Sequence, residues 1–215
     1  DFVHLLVGDG HAILHQGRER LLECLEERRD IYINKINVDE VEWMPTARTG
    51  RVSSKGRPAH YHWDDKNLDV LVGARSLGYR LLRLPPGMAP FPLHFHHFGE
   101  EMFYVLEGGC TLVSARGEFA VRQGDVIAFP PGPRGAHKFK NEGSAACVLL
   151  AVGNELPHDL GEYPDSQKVG IWAGRPGQPG LRKLFRAENT VEYYDRDSPG
   201  RKPPGARRAK VDKGA

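Results

Sequence analysis

The middle of the chain alternates apolar and polar residues over short stretches, which is the pattern of half-buried β-strands. Turn-forming sequences such as Pro85-Pro86-Gly87 and Gln123-Gly124-Asp125 separate these stretches. The pattern predicts these strands: Tyr79–Leu84, Leu93–His97, Met102–Leu106, Cys110–Ser114, Glu118–Val121, Val126–Phe129, His137–Asn141 and Cys147–Val152. Many short strands at regular spacing are typical of an all-β sandwich or barrel.

The two flanks of this region follow other patterns. The stretch from Gln16 to Asp30 is rich in Leu, Glu and Arg, and its leucines fall on one helical stripe, which predicts one amphipathic helix. Ile31 to Val41 is predicted to be an extended arm, and Pro45 to Pro58 an exposed linker. After Gly153 the prolines predict loops, in which the aromatic segment Val191–Tyr194 is expected to pack onto the barrel.

These changes of pattern predict four regions along the chain. The last 16 residues carry six basic residues and one acidic residue among glycines and prolines, and they hold too few apolar groups to order themselves. The predicted regions are an N-terminal extension with one helix and a linker (1–75), a barrel core (76–153), a C-terminal extension packing on the barrel (154–199) and a disordered basic tail (200–215).

Composition and charge indicate which partners and which compartment to expect. The formal net charge is +2, and setting the basic tail aside leaves a small acidic excess, so nucleic acid is not an expected partner. The three cysteines form no CxxC pair, which favours a reducing compartment and hence the cytoplasm. No run of 18 apolar residues is present, so no membrane span is expected. The chain does not begin with Met, which leaves an upstream segment open.

Potential metal ligands cluster in the strand-rich region. His94 and His96 are two residues apart on a predicted strand and therefore point the same way. Glu101 follows the next turn, and His137 opens a later strand. Three imidazoles and one carboxylate converging on one point suit one divalent transition metal ion, with Fe, Mn, Zn, Ni and Co all open.

Two motifs in this region resemble those of the cupin superfamily. The first motif is approximated by Gly87, His94, His96, Glu101 and Gly108, with a first spacer one residue longer than usual. The second motif is approximated by Gly124-Asp125, Pro130-Pro131-Gly132, His137 and Asn141, with a longer gap before the histidine. Further along, the segments Gly161–Ser166 and Val191–Tyr194 look like those of uncharacterised bacterial single-domain members (monocupins). The resemblance implies a double-stranded β-helix barrel that holds a metal inside one mouth, here preceded by a helical and extended N-terminal extension.

Neighbouring residues compete for roles in this site. The spacing to Gly108 favours Glu101 over Glu100 as the carboxylate ligand, and strand alternation then points Glu100 away. His97 has the opposite parity to His94 and His96, so it is expected at the rim or behind the ligands rather than as a ligand.

Three functions fit such a site. The first, which the sequence favours, is oxygen-dependent oxidation of a small organic molecule, as in a dioxygenase-like oxidoreductase, because four protein ligands leave two open positions in an octahedral shell. The second is isomerase or lyase chemistry on a sugar or hydroxy acid, which needs a proton-transfer group such as His97 or Tyr104. The third is non-catalytic binding of a small molecule. A tetrahedral zinc ion would instead close the site.

A homodimer is also expected. The resemblance suggests it, and the extended arm could add a strand to the sheet edge of a neighbouring copy.

Overall fold

The computed structural model describes residues 7–8, 11–12, 35–46, 56–174 and 180–195. Within them the chain is mostly strand, with one short α-helix, α1 (Leu68–Leu71). The strands in chain order are β1 (Val7–Gly8), β2 (His11–Ala12), β3 (Met44–Pro45), β4 (Asp64–Asn67), β5 (Leu77–Leu84), β6 (Phe95–His96), β7 (Glu101–Glu107), β8 (Gly109–Ser114), β9 (Gly117–Arg122), β10 (Val126–Phe129), β11 (His137–Lys140), β12 (Cys147–Asn154), β13 (His158–Tyr163), β14 (Lys168–Ala173) and β15 (Leu181–Arg186). Short 3-10 helices cover Val38–Glu40, Pro133–Gly135, Pro164–Ser166 and Ala187–Asn189.

Two antiparallel sheets enclose the core. One has the strand order β10-β7-β12-β5-β4-β3, and the other has the order β11-β8-β9. Alternate side chains of both sheets meet in a single apolar cluster, which includes Phe139 from β11, Leu149 from β12 and Val105 from β7, all fully buried. Burial of this cluster holds the two sheets together. The prediction of an all-β barrel is therefore confirmed.

The predicted strands of the middle region are all present, with small shifts at their ends. β5 begins at Leu77, two residues before the predicted start, because it pairs along its whole length with β12. β6 is shorter than predicted and covers only Phe95–His96. His94 lies just outside β6 and joins His137 through an isolated antiparallel bridge.

The prediction that the chain after Gly153 is loop-like is wrong. Strands β13, β14 and β15 form an antiparallel four-stranded sheet with β6, in the order β15-β14-β13-β6. In this sheet Gly161 of β13 lies opposite His96 of β6. The C-terminal segment is thus placed directly beside the strand that carries a predicted metal ligand.

Other expectations for the flanks have mixed outcomes. Val191, Tyr193 and Tyr194 are 74%, 86% and 77% exposed, so the expectation that this aromatic segment packs onto the barrel is wrong. Residues 35–41 of the predicted arm contain a 3-10 helix and no strand. The predicted helix at 16–30 and the basic tail at 200–215 lie outside the described residues. The division into four regions stays a prediction, although β3 and β4 pair into the same sheet as β5.

The side chain of Asn141 joins neighbouring chain segments by hydrogen bonds at one end of the core. Its side-chain amide donates to the carbonyl oxygens of Leu84 and Ala145, each at 2.8 Å, and its Oδ1 accepts from the backbone N–H of Gly143 at 3.0 Å. The residue is 1% exposed, so water cannot replace these bonds.

Replacing Asn141 with alanine is therefore expected to destabilise the fold by about 1–3 kcal/mol, the usual cost of leaving buried polar partners unsatisfied. Urea unfolding measures the loss. The exposed Asn189, changed to alanine, serves as the control and should shift stability by less than about 0.5 kcal/mol. Equal losses in both variants would contradict the assignment.

Candidate metal centre

Three strand ends bring the predicted ligands together. The backbones of His94 and His137 exchange two hydrogen bonds, with N–O distances of 3.1 and 2.9 Å, which fixes the two imidazoles side by side. His96 follows in β6, and Glu101 opens β7 on the facing sheet. The ring centroid of His94 lies 5.2 Å from that of His96 and 4.7 Å from that of His137.

The ligand atoms converge on one point. Oε2 of Glu101 lies 3.3 Å from Nε2 of His137 and 3.5 Å from Nε2 of His96. The ligand atoms of His94, His96 and Glu101 all lie within 4.8 Å of one another, a spacing that could hold a metal ion. The structure therefore places all four predicted ligands in one cluster.

The orientation of the histidine rings suits metal binding. Nδ1 of His94 lies 3.0 Å from the Pro92 carbonyl oxygen, and Nδ1 of His137 lies 2.9 Å from the Gly135 carbonyl oxygen. Because a carbonyl oxygen only accepts, each Nδ1 carries the proton and each Nε2 keeps a free lone pair. This leaves the Nε2 atoms as the ones available to a cation.

Burial leaves polar atoms of the cluster without partners. Among the described residues, Oε2 of Glu101 and Nε2 of His137 are buried and have no hydrogen-bond partner. Burial also lowers the pKa of His94 well below its usual range and lowers that of His137, so both rings are neutral at neutral pH. Orphaned buried polar atoms are costly, and a divalent cation at their centre would satisfy them. The donor set thus fits a transition metal ion.

Asp159 of β13 supports His96 from behind. Its Oδ2 is hydrogen-bonded to Nδ1 of His96, and its Oδ1 accepts from the backbone N–H groups of Phe98 at 3.2 Å and Leu160 at 2.8 Å. Burial alone would lower the pKa of His96, but the bond to Asp159 and the charges of Glu101 and Asp159 together raise it above the usual value. The same bond holds the pKa of Asp159 below its usual range despite burial.

Aromatic rings cover the rest of the cluster. The ring of Tyr163 stacks on His94 with centroids 5.8 Å apart and an interplanar angle of 17°, and Trp172 lies 6.2 Å from His96. Phe91 meets the edges of His94 and His137 at 4.8 and 5.9 Å. None of these contacts was predicted. Asp159 and Tyr163 come from a segment predicted as loop, so sequence spacing gave no signal for them.

The structure places the two predicted proton-transfer candidates away from the cluster. Nε2 of His97 lies 2.7 Å from a carboxylate oxygen of Glu162, which agrees with a rim position. Tyr104 is three residues from Glu101 on β7 and therefore lies on the opposite face of that strand. Glu100 is exposed, as its predicted parity requires.

The contact between Asp159 and His96 has a measurable consequence. A carboxylate that orients a metal-binding imidazole typically contributes 10–100-fold to metal affinity. Replacing Asp159 with asparagine is thus expected to weaken metal binding by about 10–100-fold at pH 8. Competition with a chromophoric chelator measures it. Asp125→Asn, in the turn between β9 and β10, is the matched control and should leave affinity unchanged. Equal affinity of both variants would contradict the role of Asp159.

No helix of the described residues is both long and apolar enough to span a membrane.

Comparison with known proteins places the fold. Residues 80–153 match the family model of the cupin domain. An uncharacterised protein of Methanocaldococcus jannaschii is 36% identical over 58 residues, which are 27% of this chain and 45% of that protein. The chain therefore spans less than half the length of this curated relative.

Two solved structures resemble more of the chain. A candidate sugar phosphate isomerase from Acidithiobacillus ferrooxidans has a TM-score of 0.56 at 27% identity, over 68% of this chain and 94% of its own. A sugar phosphate isomerase of the cupin superfamily from Silicibacter pomeroyi has a TM-score of 0.59 at 24% identity, over 75% and 98%. The predicted double-stranded β-helix fold is confirmed, and this chain carries a cupin domain at residues 80–153.

Proposed function

We propose that this chain is a cupin enzyme that binds one divalent transition metal ion through His94, His96, Glu101 and His137 and acts on a small organic molecule. The observation that carries the proposal is the convergence of buried, unpartnered ligand atoms, Oε2 of Glu101 and Nε2 of His137 above all. When bound, such an ion would supply Lewis acidity to a substrate oxygen.

We favour isomerisation by proton transfer as the reaction. Such chemistry needs a base that takes a proton from the reacting carbon and an acid that protonates the neighbouring oxygen. Tyr163 is placed to be the acid, since its ring stacks on His94. Burial, with the nearby charges of Glu101 and Asp159, raises the pKa of Tyr163, so its hydroxyl keeps its proton and can donate it to a substrate oxygen. The similarity to the candidate sugar phosphate isomerase, at 27% identity, supports the same class.

Oxygen-dependent oxidation is the second candidate. Its support is the apolar wall around His137, where the ring of Phe129 stacks at 3.8 Å and the ring of Phe103 meets it at 5.7 Å. A mostly apolar cavity with few polar groups is typical of small-molecule sites and would admit O₂. A third outcome is a binding protein without turnover.

One set of assays separates these candidates. Purified protein is analysed for bound metal and then incubated with a panel of aldose and ketose phosphates, in air and under nitrogen. Interconversion of the two sugar classes that is equal in both atmospheres supports isomerisation. Oxygen uptake that depends on an added organic substrate supports oxidation. Bound metal with neither activity would point to a binding protein, and absence of metal under every loading condition would overturn the proposal.

Tyr163→Phe sharpens this test. Under isomerisation the variant should keep its metal and lose most of its turnover, about 10²–10⁴-fold for a general acid. The matched variant is Tyr104→Phe, on the opposite face of β7, which should retain full turnover. Loss of metal from Tyr163→Phe would mean that its role is structural.

We also propose a homodimer in the cytoplasm. β15 forms an edge of the four-stranded sheet, and such an edge is open to pairing with a second copy. The buried thiols of Cys110 and Cys147 are free, which suits a reducing compartment. Sedimentation velocity that finds only monomer at all working concentrations would contradict the dimer.

A further inference from the structure

Arg80 faces the interior of the barrel. On β5 it shares the inward face with Leu82 and Leu84, which are 1% and 0% exposed in the core. Across the sheet Arg80 lies opposite Ala151 of β12, which in turn lies opposite the buried Phe103 of β7. An arginine therefore occupies an inward position, with Ala151 on one side of it and Asn67 of β4 on the other.

Arg80 has no partner that neutralises its charge. Among the described residues its guanidinium makes no hydrogen bond and no ion pair within 4.0 Å, although it is only partly exposed. Arg83, three residues along the same strand, provides the contrast. Its guanidinium donates to Asp64 at 3.0 and 2.7 Å and lies 4.6 Å from the ring centre of Trp43. A half-buried charge without a partner is costly, which indicates that a ligand completes the site.

Arg80 lies one row of the sheet away from the row that carries Glu101. The next row of the sheet toward the mouth consists of Glu101, Gly153 and Gly78, so two of its three positions carry no side chain. The Glu155 side chain lies over Gly78 at the outer end of that row. Arg80 is close enough to the cluster that its charge, after the larger effect of burial, also lowers the pKa of His96.

Charge balance points to the sign of the missing ligand. Glu101 and Asp159 carry two negative charges, and a divalent ion would offset both. Arg80 adds a positive charge that none of these groups offsets, and the Glu155 carboxylate beside the next row makes no ion pair with it within 4.0 Å. An unpaired guanidinium favours an anionic ligand.

We propose that Arg80 binds an anionic group of the substrate, a phosphate or a carboxylate, while the rest of the molecule reaches the metal centre. The guanidinium fork matches either group with two parallel hydrogen bonds. This inference rests on the proposed function for the place of the reaction, and it adds the substrate class and the residue that selects it.

The test measures anion binding apart from metal and turnover. Inorganic phosphate and malonate are titrated by calorimetry into the full chain, once as purified and once after removal of metal with a chelator. Arg80→Gln is expected to weaken binding by about tenfold or more, the usual effect of losing a charge-assisted bond. Arg80→Lys should restore part of it. Arg83→Gln, the matched change on the outer face of β5, should bind like the parent.

Each outcome decides the proposal. Binding of phosphate alone, malonate alone or both, with loss in Arg80→Gln and unchanged metal content, supports it and names the anion class. Failure of the parent to bind either anion overturns it, as does equal binding by Arg80→Gln or binding that disappears with the metal alone. A parent that takes up no metal under any loading condition but still binds anions through Arg80 would overturn the proposed function and leave this inference standing.

Discussion

Replacing Glu101 with glutamine is expected to strip the protein of its metal, whereas the same change at Glu100 should leave metal content at the parental level. Glutamine keeps the size of the side chain and removes the negative charge that a divalent ion requires. Oε2 of Glu101 lies within 3.5 Å of the Nε2 atoms of His96 and His137, so its charge sits at the centre of the cluster. Because a change behind the ligands already weakens affinity 10–100-fold, loss of this ligand should exceed about 100-fold.

Elemental analysis and chelator competition at pH 8 measure this effect. Glu100→Gln is a stringent control, because the two glutamates are adjacent and only the direction of the side chain differs. The exposed Glu100 donates its backbone N–H to Oδ1 of Asn154 at 2.8 Å, and its carboxylate makes no hydrogen bond among the described residues, so the fold does not depend on that carboxylate. Circular dichroism of both variants confirms that the barrel is intact. Parental metal content in Glu101→Gln would remove this residue from the ligand set.

The barrel strands were predictable from the sequence because their burial is one-sided. On β7 the inward residues Phe103 and Val105 are 1% and 0% exposed, while the residues between them are less buried. This alternation is legible in a single sequence wherever one face meets the core. Glycines at sharp turns, such as Gly108 and Gly124 with positive φ angles, marked the strand ends.

Strands β13 and β14 were missed for a physical reason. Each has a glycine in its middle, Gly161 and Gly170, and glycine within a run is normally evidence against a strand. Here the ring of Trp172 lies across both positions, and a Cβ at Gly161 would come within 2.9 Å of that ring. Only glycine at these two positions leaves room for the Trp172 ring on the sheet. No pattern along the chain reveals where that ring lies.

The missed strand β13 also carries two residues of the site, Asp159 and Tyr163. The ligands themselves were predictable, since His94, His96 and Glu101 lie within eight residues of one another and strand parity sets their directions. Asp159 is 63 residues from His96, and its role depends on the pairing of β13 with β6. Once that segment was predicted as loop, neither Asp159 nor Tyr163 could be assigned to the metal centre.

Metal binding is expected to weaken on acidification, starting near neutral pH rather than only in strong acid. Histidine binds a metal only in its neutral form, so protons compete with the ion. Burial lowers the pKa of His94 well below its usual range and also lowers that of His137, so these two rings stay neutral to a lower pH than an ordinary histidine. The pKa of His96 is raised, since Asp159 and Glu101 outweigh burial, so His96 takes up a proton first. Affinity should therefore be full above the pKa of His96 and fall by about tenfold per pH unit below it, with a total loss above about 100-fold by about pH 4.5.

The variant Asp159→Asn tests whether His96 is the ligand that takes up a proton first. Removing the carboxylate removes the main cause that raises the pKa of His96, so proton competition should begin at a lower pH than in the parent. The variant should thus bind metal more weakly at pH 8 but lose less of its affinity between pH 7.5 and pH 6. Chelator competition across this range, with Asp125→Asn as the control, measures both slopes. Parallel slopes for the parent and Asp159→Asn would show that His96 is not the group that protons reach first, and full metal occupancy of the parent at about pH 4.5 would exclude histidine ligands at this centre.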